Sequence, residues 1–85
     1  MILFLPHALE AMEKRNIAQE WVIRTVRFPD WTEMDAQHPD RIRSCRAIPE
    51  IEGRVLRVVH WTDGPNIVIL TAYPDRDATK RRSQP

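Results

Sequence analysis

The sequence predicts an α+β domain in which an N-terminal helical hairpin packs on an antiparallel β-meander of about four strands. Two observations support this fold class. Before residue 29, apolar residues recur at the three- and four-residue spacing of amphipathic helices. After residue 40, runs rich in Val and Ile follow one another, separated by the turn sequences Glu52-Gly53 and Thr62-Asp63-Gly64-Pro65.

Two helices are predicted in the first third of the chain. The first runs from Pro6 to Arg15, because proline suits a first helical turn and a basic pair suits the negative C-terminal end. Asn16 then supplies the left-handed residue that often ends a helix. The second helix runs from Ala18 to Phe28 and stops before Pro29. Together they form the predicted hairpin.

Strand-like segments follow the helices. Residues Trp31 to Asp35 predict a short edge strand, and the sequences RIRSCRAIPEI (41–51), RVLRVVHW (54–61) and NIVILTAY (66–73) predict the meander. The last is apolar at both alternating sets of positions, so we expect it inside the sheet. The domain therefore covers residues 1–74. Residues 75–85 predict a disordered basic tail, because they contain no apolar residue larger than alanine.

Composition sets limits on compartment and cofactors. The single cysteine, Cys45, cannot form an internal disulfide, and the three histidines are scattered, so no metal site and no cofactor are expected. The opening MILFL is too short for a signal peptide or a membrane span. We therefore expect a cytoplasmic protein without membrane association, whose thin core favours a partner chain or a homo-oligomer.

Charge is unevenly distributed, although the net charge is only +1. Residues 1–40 hold four basic and seven acidic side chains, whereas residues 41–85 hold nine basic and five acidic ones. This asymmetry allows a basic face on the C-terminal half. The alternative is an ordinary solvated sheet edge lined by arginine stems. The candidate nucleic-acid-binding residues are Arg43 on a strand and Lys80, Arg81 and Arg82 in the tail.

The strands supply the candidate catalytic residues. If Glu52-Gly53 is a two-residue hairpin loop, Cys45 lies opposite His60. With a following loop over residues 63–66, His60 lies opposite Ile69, and Leu56 lies opposite Tyr73. One face of the sheet would then carry Arg46 and Arg57. The other face would carry Arg54, His60 and Tyr73.

Such a set of side chains is suited to RNA cleavage without a metal. Arginine stabilises charge on the scissile phosphate, and histidine or tyrosine moves the proton of the attacking 2′-hydroxyl or of the leaving oxygen. The alternative interpretation is structural. In it, His60 is a half-buried strand residue, Tyr73 is a rim aromatic residue, and Cys45 is a small buried hydrophobe.

Several segments resemble a known family. HALEAMEKRNI (7–17), EWV, RFPD, RVLRVV and the closing IVILTAYP resemble the bacterial domain-of-unknown-function family 4258 over most of residues 6–74. Ala11 stands where that family commonly has an arginine. The family-motif residues matched in this chain are His7, Met12, Arg15, Ile17, Thr71 and Tyr73. We interpret His7 and Arg15 as helix-end residues rather than as catalytic groups.

The order of elements is similar to that of the RelE, ParE and BrnT-like toxins of bacterial toxin–antitoxin pairs. That similarity implies an mRNA endoribonuclease, acting on free RNA or on the ribosome, and an antitoxin protein that neutralises it. The alternative is a noncatalytic interaction or regulatory module with the same fold. The thin core, the three tryptophans and the missing catalytic motif favour that alternative.

Overall fold

The computed structural model of the protein describes residues 1–83, with side chains described for residues 1–80. Within those residues the fold is α+β, with one five-stranded mixed sheet and three helices. In chain order the elements are β1 (Ile2–Phe4), α1 (Pro6–Lys14), α2 (Gln19–Arg27), β2 (Trp31–Met34), β3 (Ile42–Ile48), β4 (Arg54–Asp63), β5 (Asn66–Pro74) and α3 (Arg76–Ser83). None of the described helices is long and apolar enough to cross a membrane.

The sheet is mixed rather than purely antiparallel, with the order β1-β5-β4-β3-β2. β1 runs parallel to β5 and pairs Ile2 with Ile67 and Phe4 with Ile69, whereas the other neighbours are antiparallel. The predicted meander therefore gains a fifth strand at its edge. Three residues are too few to display an alternating pattern, so β1 could not be recognised from sequence. β5 lies inside the sheet as predicted, and β4 is the central strand.

Helices α1 and α2 begin and end within a residue of the predicted bounds, but their packing does not confirm the predicted hairpin. α1 lies mainly on β5, whereas α2 lies on β3 and β4. Each helix therefore buries its apolar stripe against the sheet rather than against the other helix. We call the side of the sheet that they cover the helix face.

The main core lies between the helix face and these two helices. Its central side chains, from β3, β4 and β5, are fully buried, and burying apolar surface of this kind provides most of the driving force for folding. The buried members of this cluster are Ala8, Met12, Ile17, Val22, Ile48, Leu56, Val58, Ile69 and Ala72.

A smaller core lies on the other side of the sheet, which we call the opposite face. It consists of Cys45, Val55 and Ala78, with Trp31 packed against them. Ala78 belongs to α3, so the predicted disordered tail is wrong over Arg76–Ser83, which form a helix. The helix is possible because Asp75 caps it, as its Oδ1 accepts the Ala78 N–H at 3.0 Å. Residues 84 and 85 of the predicted tail lie outside the described residues.

The register between β3 and β4 also differs from the prediction. Residues Pro49–Ile51 form a turn of 3₁₀ helix, and Glu52 and Gly53 follow with φ of 61° and 76°, so the loop is longer than two residues. Cys45 consequently lies opposite Arg57 rather than His60, a displacement of three residues. Because side chains alternate between faces, this odd displacement places Arg46 and Arg57 on opposite faces, contrary to the prediction.

The register between β4 and β5 is partly as predicted. His60 lies opposite Ile69. The pairing then shifts, so that Val59 lies opposite Thr71 and Leu70 has no partner of its own. This β-bulge places Tyr73 opposite Arg57, and the predicted pairing of Leu56 with Tyr73 is wrong.

The end of α1 provides a test of the local folding argument. Asn16 has a φ of 54°, and the following Ile17 is buried and donates its N–H to the Met12 carbonyl at 2.9 Å. A β-branched residue at position 16 would be strained in this left-handed conformation, whereas glycine would not. We expect Asn16→Val to lower the free energy of unfolding by about 1–2 kcal/mol in urea denaturation.

The matched control is Asn16→Gly, for which we expect a much smaller change. Equal losses in the two variants would contradict a role for the left-handed conformation.

Candidate functional site

Arg57 on β4 forms two ion pairs, and its side chain is only 5% exposed. Its Nε donates to Asp75 Oδ2 at 2.6 Å, and its Nη2 donates to Glu33 Oε2 at 3.3 Å. Glu33 is in turn held by the indole N–H of Trp31, at 2.9 Å. Arg57 thus joins β2, β4 and the start of α3 on the opposite face.

The electrostatics of this network keep both partners ionised. Burial lowers the pKa of Arg57, but the neighbouring Cys45 and the hydrogen bond to Asp75 outweigh burial, so the pKa is raised overall. Burial raises the pKa of Asp75, yet the Ala78 N–H and the Arg57 guanidinium outweigh burial and lower it. The carboxylates of Glu33 and Asp75 therefore already pair with the guanidinium that was predicted to bind a scissile phosphate.

The other predicted strand arginines are dispersed. Arg46 donates from Nη1 to the Phe28 carbonyl and lies 3.8 Å from an Asp30 carboxylate oxygen. Arg43, a predicted nucleic-acid-binding residue, pairs with Asp35 at 3.0 Å. Arg54 is exposed at the start of β4. The structure does not bring Arg46, Arg54 and Arg57 to one point.

His60 forms a buried pair with Ser44 on the helix face. The Ser44 Oγ lies 2.7 Å from His60 Nε2, and the two residues are 1% and 7% exposed. His60 Nδ1 is buried and has no hydrogen-bond partner among the described residues. Burial lowers the pKa of His60, which favours the neutral imidazole. Tyr73 lies opposite Arg57, so it does not share a face with His60.

A different group of polar side chains lines a surface cleft of about 190 Å³ between α1 and β5. The helix residues follow a spacing of three and four, so they lie on one side of α1. Thr71 contributes from β5. The residues that line the cleft are His7, Glu10, Ala11, Lys14, Arg15 and Thr71.

The end of α1 positions the basic side of the cleft. The main-chain N–H of Arg15 donates to the carbonyls of Ala11 and Met12, and its guanidinium Nη1 donates to the Ala11 carbonyl at 3.3 Å. This last contact folds the arginine side chain back along the helix, towards the cleft. Ala11 has a short side chain, so the middle of the cleft stays open.

The β-bulge positions Thr71, which contributes the hydroxyl group of the cleft. β1 pairs with β5 only as far as Ile69, and the unpaired Leu70 follows directly. Bulges change the direction of the side chains beside them, and here the next residue, Thr71, lines the cleft. The bulge thus places Thr71, a family-motif residue of β5, next to the family-motif residues His7 and Arg15.

The cleft has the chemistry of an anion site with a proton-transfer group. Arg15 is exposed, and no described carboxylate pairs with it. Lys14 contacts Glu10 at 3.3 Å, but both side chains are more than half exposed, so solvent weakens that pair. His7 and Thr71 add groups that donate and accept hydrogen bonds. Within the described chain, no group of three or more His, Cys, Asp or Glu side chains could hold a metal ion.

The sequence interpretation of His7 and Arg15 as helix-end residues did not identify this cleft. The spacing of His7, Ala11 and Arg15, at four-residue intervals, is the signal that could have identified a shared face. Two other predicted nucleic-acid-binding residues, Arg81 and Arg82, belong to α3, but their side chains lie outside the described part. Lys80 is exposed on α3.

Removal of the buried guanidinium should unfold the protein more readily. Arg57→Ala leaves the mostly buried Asp75 carboxylate without its cation, and breaking a buried pair in this way costs about 3–5 kcal/mol. We expect urea denaturation to show this loss. Arg54→Ala, on the same strand but exposed, is the control and should change stability little. An Arg57→Ala protein as stable as Arg54→Ala would contradict the structural role.

Stability should also depend on pH through His60. The folded-state pKa of His60 is depressed, so its contribution to the free energy of unfolding is complete above about pH 6.5, the ordinary pKa of histidine. That contribution is lost as the pH falls through the folded-state pKa. We expect wild-type stability to fall from about pH 7 to about pH 5 more steeply than that of His60→Gln, which cannot titrate. Urea denaturation across this range measures both slopes, and equal slopes would contradict the assignment.

Comparison with known proteins identifies the family of this chain but no activity. The model of the family described as Domain of unknown function (DUF4258) matches residues 4–74. No curated protein and no solved structure matches the chain. The match includes α1, α2, β2 to β5 and every residue that lines the cleft, but only the last residue of β1. On this match over most of its length, the chain belongs to the DUF4258 family.

Proposed function

We propose that this protein is a toxin-like endoribonuclease of a bacterial toxin–antitoxin pair, and that the α1–β5 cleft is its active site. One observation carries the proposal: a histidine, two cationic side chains and a hydroxyl surround the same cleft, with Glu10 as its one carboxylate. The cleft is open to solvent, whereas the strand arginine Arg57 is buried and paired with carboxylates. A polyanionic substrate can therefore reach Lys14 and Arg15 without disrupting the fold.

The proposed reaction uses the RNA's own 2′-hydroxyl as nucleophile and requires no metal. The 2′-oxygen attacks the adjacent phosphorus and the bond from phosphorus to the 5′-oxygen breaks, leaving a 2′,3′-cyclic phosphate and a 5′-hydroxyl. His7 accepts the 2′-hydroxyl proton, and water donates the proton that the leaving 5′-oxygen takes up. Arg15 and Lys14 stabilise the negative charge that develops on the phosphate, and Thr71 donates a hydrogen bond to it.

Two further features fit this proposal. Cys45 forms no disulfide within the described chain and is fully buried, which suits a protein of the reducing cytoplasm. The cleft also offers a partner a direct means of inhibition, because an antitoxin that places an acidic side chain against Lys14 and Arg15 would exclude RNA.

Induced expression in a bacterial host tests the proposal. We expect growth arrest with RNA fragmentation, and we expect His7→Ala to relieve both by removing the proton-transfer group. The control is His38→Ala, in the exposed loop between β2 and β3, which should leave the arrest unchanged. Sequencing of the fragments should find cyclic-phosphate ends.

Two results would overturn the proposal. One is normal growth with intact RNA while the folded protein accumulates. The other is arrest that His7→Ala and His38→Ala relieve equally or not at all, which would remove the cleft from the mechanism.

A second candidate is a noncatalytic interaction module. Phe28 after α2 and Met34 on the edge strand β2 are both 66% exposed, and large exposed apolar side chains beside a free strand edge favour protein binding. This candidate predicts that Phe28→Ser with Met34→Ser abolishes the biological effect while His7→Ala does not. A growth assay with these variants distinguishes the two candidates.

A further inference from the structure

Strand β2 lies at an edge of the sheet, with β3 on one side and no described strand on the other. The free side of an edge strand can pair with another extended chain, and natural proteins usually prevent this with charged side chains, proline or a covering helix. The one charged residue of β2, Glu33, pairs with Arg57 on the opposite face, at 3.3 Å. Its charge is therefore engaged within the fold and does not block the edge.

Two residues of β2 direct their backbone groups to the free side. Just after β2, the Asp35 N–H donates to the Arg41 carbonyl at 3.2 Å. In an antiparallel pair, successive residues direct their backbone groups alternately towards and away from the partner strand. Counting back from Asp35 in the register of β2 and β3, Glu33 faces β3, whereas Thr32 and Met34 face away from it. Each of these two residues offers one N–H donor and one carbonyl acceptor at the edge.

Exposed apolar side chains lie beside the same edge, on the helix face. Met34 lies opposite Ile42, which shares a face of β3 with the main-core residue Ile48, so the Met34 side chain is on the helix face. Phe28 follows α2, and its carbonyl accepts from Arg46, another helix-face residue of β3. Phe28 and Met34 are both 66% exposed. We call the outward backbone groups of β2, together with the Phe28 and Met34 side chains, the β2 edge.

The charge of β2 argues against a second copy of the chain as the occupant of this edge. Residues 30–35 include Asp30, Glu33 and Asp35 but no lysine or arginine. Antiparallel self-pairing centred on Glu33 would place the two Glu33 side chains opposite each other, and self-pairing centred on Met34 would place Glu33 opposite Asp35. Like charges directly opposite each other destabilise a sheet. Self-pairing centred on Thr32 would place the exposed Met34 opposite Asp30, which leaves its apolar surface without an apolar partner.

We propose that the β2 edge binds an extended segment of a partner protein, which adds a strand to the sheet next to β2. The segment forms backbone hydrogen bonds with Thr32 and Met34. Its alternate side chains are apolar and contact Phe28 and Met34, and the side chains between them are not acidic. Because β3 and β4 separate β2 from β5, the bound segment leaves the α1–β5 cleft open. The inference is independent of RNA cleavage.

Selection from a phage-displayed library of random ten-residue peptides tests this binding mode. The wild-type protein is the target, and fluorescence anisotropy then gives the Kd of each selected peptide after synthesis. We expect selected peptides with apolar residues at alternate positions and few acidic residues. Failure to select any peptide, or selection of peptides without this alternation, would overturn the inference.

Thr32→Pro tests whether the selected peptides bind the backbone of β2. Proline removes the outward N–H but no hydrogen bond to β3, and edge strands accept proline at such positions. We expect binding to weaken about tenfold, as for the loss of one hydrogen bond. The matched control is Thr32→Val, which keeps the N–H and should bind as the wild type does. Equal affinities of these two variants for the peptides would contradict strand addition at β2.

Hydrogen exchange of the wild-type protein provides a measurement that does not depend on the folding of Thr32→Pro. The amides of Thr32 and Met34 should exchange quickly in the free protein and about tenfold or more slowly with saturating peptide. The Glu33 amide, which faces β3, should change much less. Unchanged exchange at Thr32 and Met34 with peptide bound would place the peptide elsewhere and refute the proposal.

The peptide measurements separate this inference from the proposed function, because they involve no RNA. If peptides bind the β2 edge and the protein cleaves no RNA, the nuclease proposal fails and the inference stands. If the protein cleaves RNA and no peptide binds the β2 edge, the reverse holds. Thr32→Pro should retain any RNA cleavage, whereas His7→Ala should retain peptide binding.

Discussion

The ion pairs of Arg57 with Glu33 and Asp75 are the interaction on which the opposite face of the sheet depends. A guanidinium this deeply buried requires its carboxylates, and the carboxylates come from an edge strand and from the residue that caps α3. One side chain of the central strand thus holds a second strand and a helix that has only one alanine to bury. The same contacts balance the charge of Arg57 within the fold.

This arrangement divides the basic residues of the protein into two groups. The paired group, which includes Arg24 of α2 as well as the paired arginines of β3 and β4, stabilises the fold. Within the described side chains, the unpaired group includes Arg15 at the end of α1 and Arg27 of α2, which face solvent. A net charge of only +1 therefore understates the capacity of the surface to bind an anion, because the balanced charges are the buried and half-buried ones. RNA recognition in this account depends on where cations are left unpaired rather than on their number.

The sequence predicted the bounds of α1 and α2 and the strands β2 to β5 well, because their signals are local: Pro6, Asn16, Pro29 and the alternating Val and Ile runs. It failed where the outcome depends on distant contacts. β1 exists through its pairing with β5, and α3 exists through Asp75 and Arg57. The predicted strand register around the candidate site residues was wrong, because the loop over residues 49–53 and the bulge at Leu70 each changed which side chains share a face.

The central claim is that phosphate binds the α1–β5 cleft and not the strand arginines, and side-chain NMR tests it most directly. A non-cleavable 2′-O-methyl RNA dinucleotide is added to labelled protein while the imidazole and guanidinium resonances are followed. The account predicts that resonances of His7 and Arg15 shift in a saturable manner while those of Arg57 and His60 do not. Saturable shifts at Arg57 and His60, with His7 and Arg15 unaffected, would contradict it.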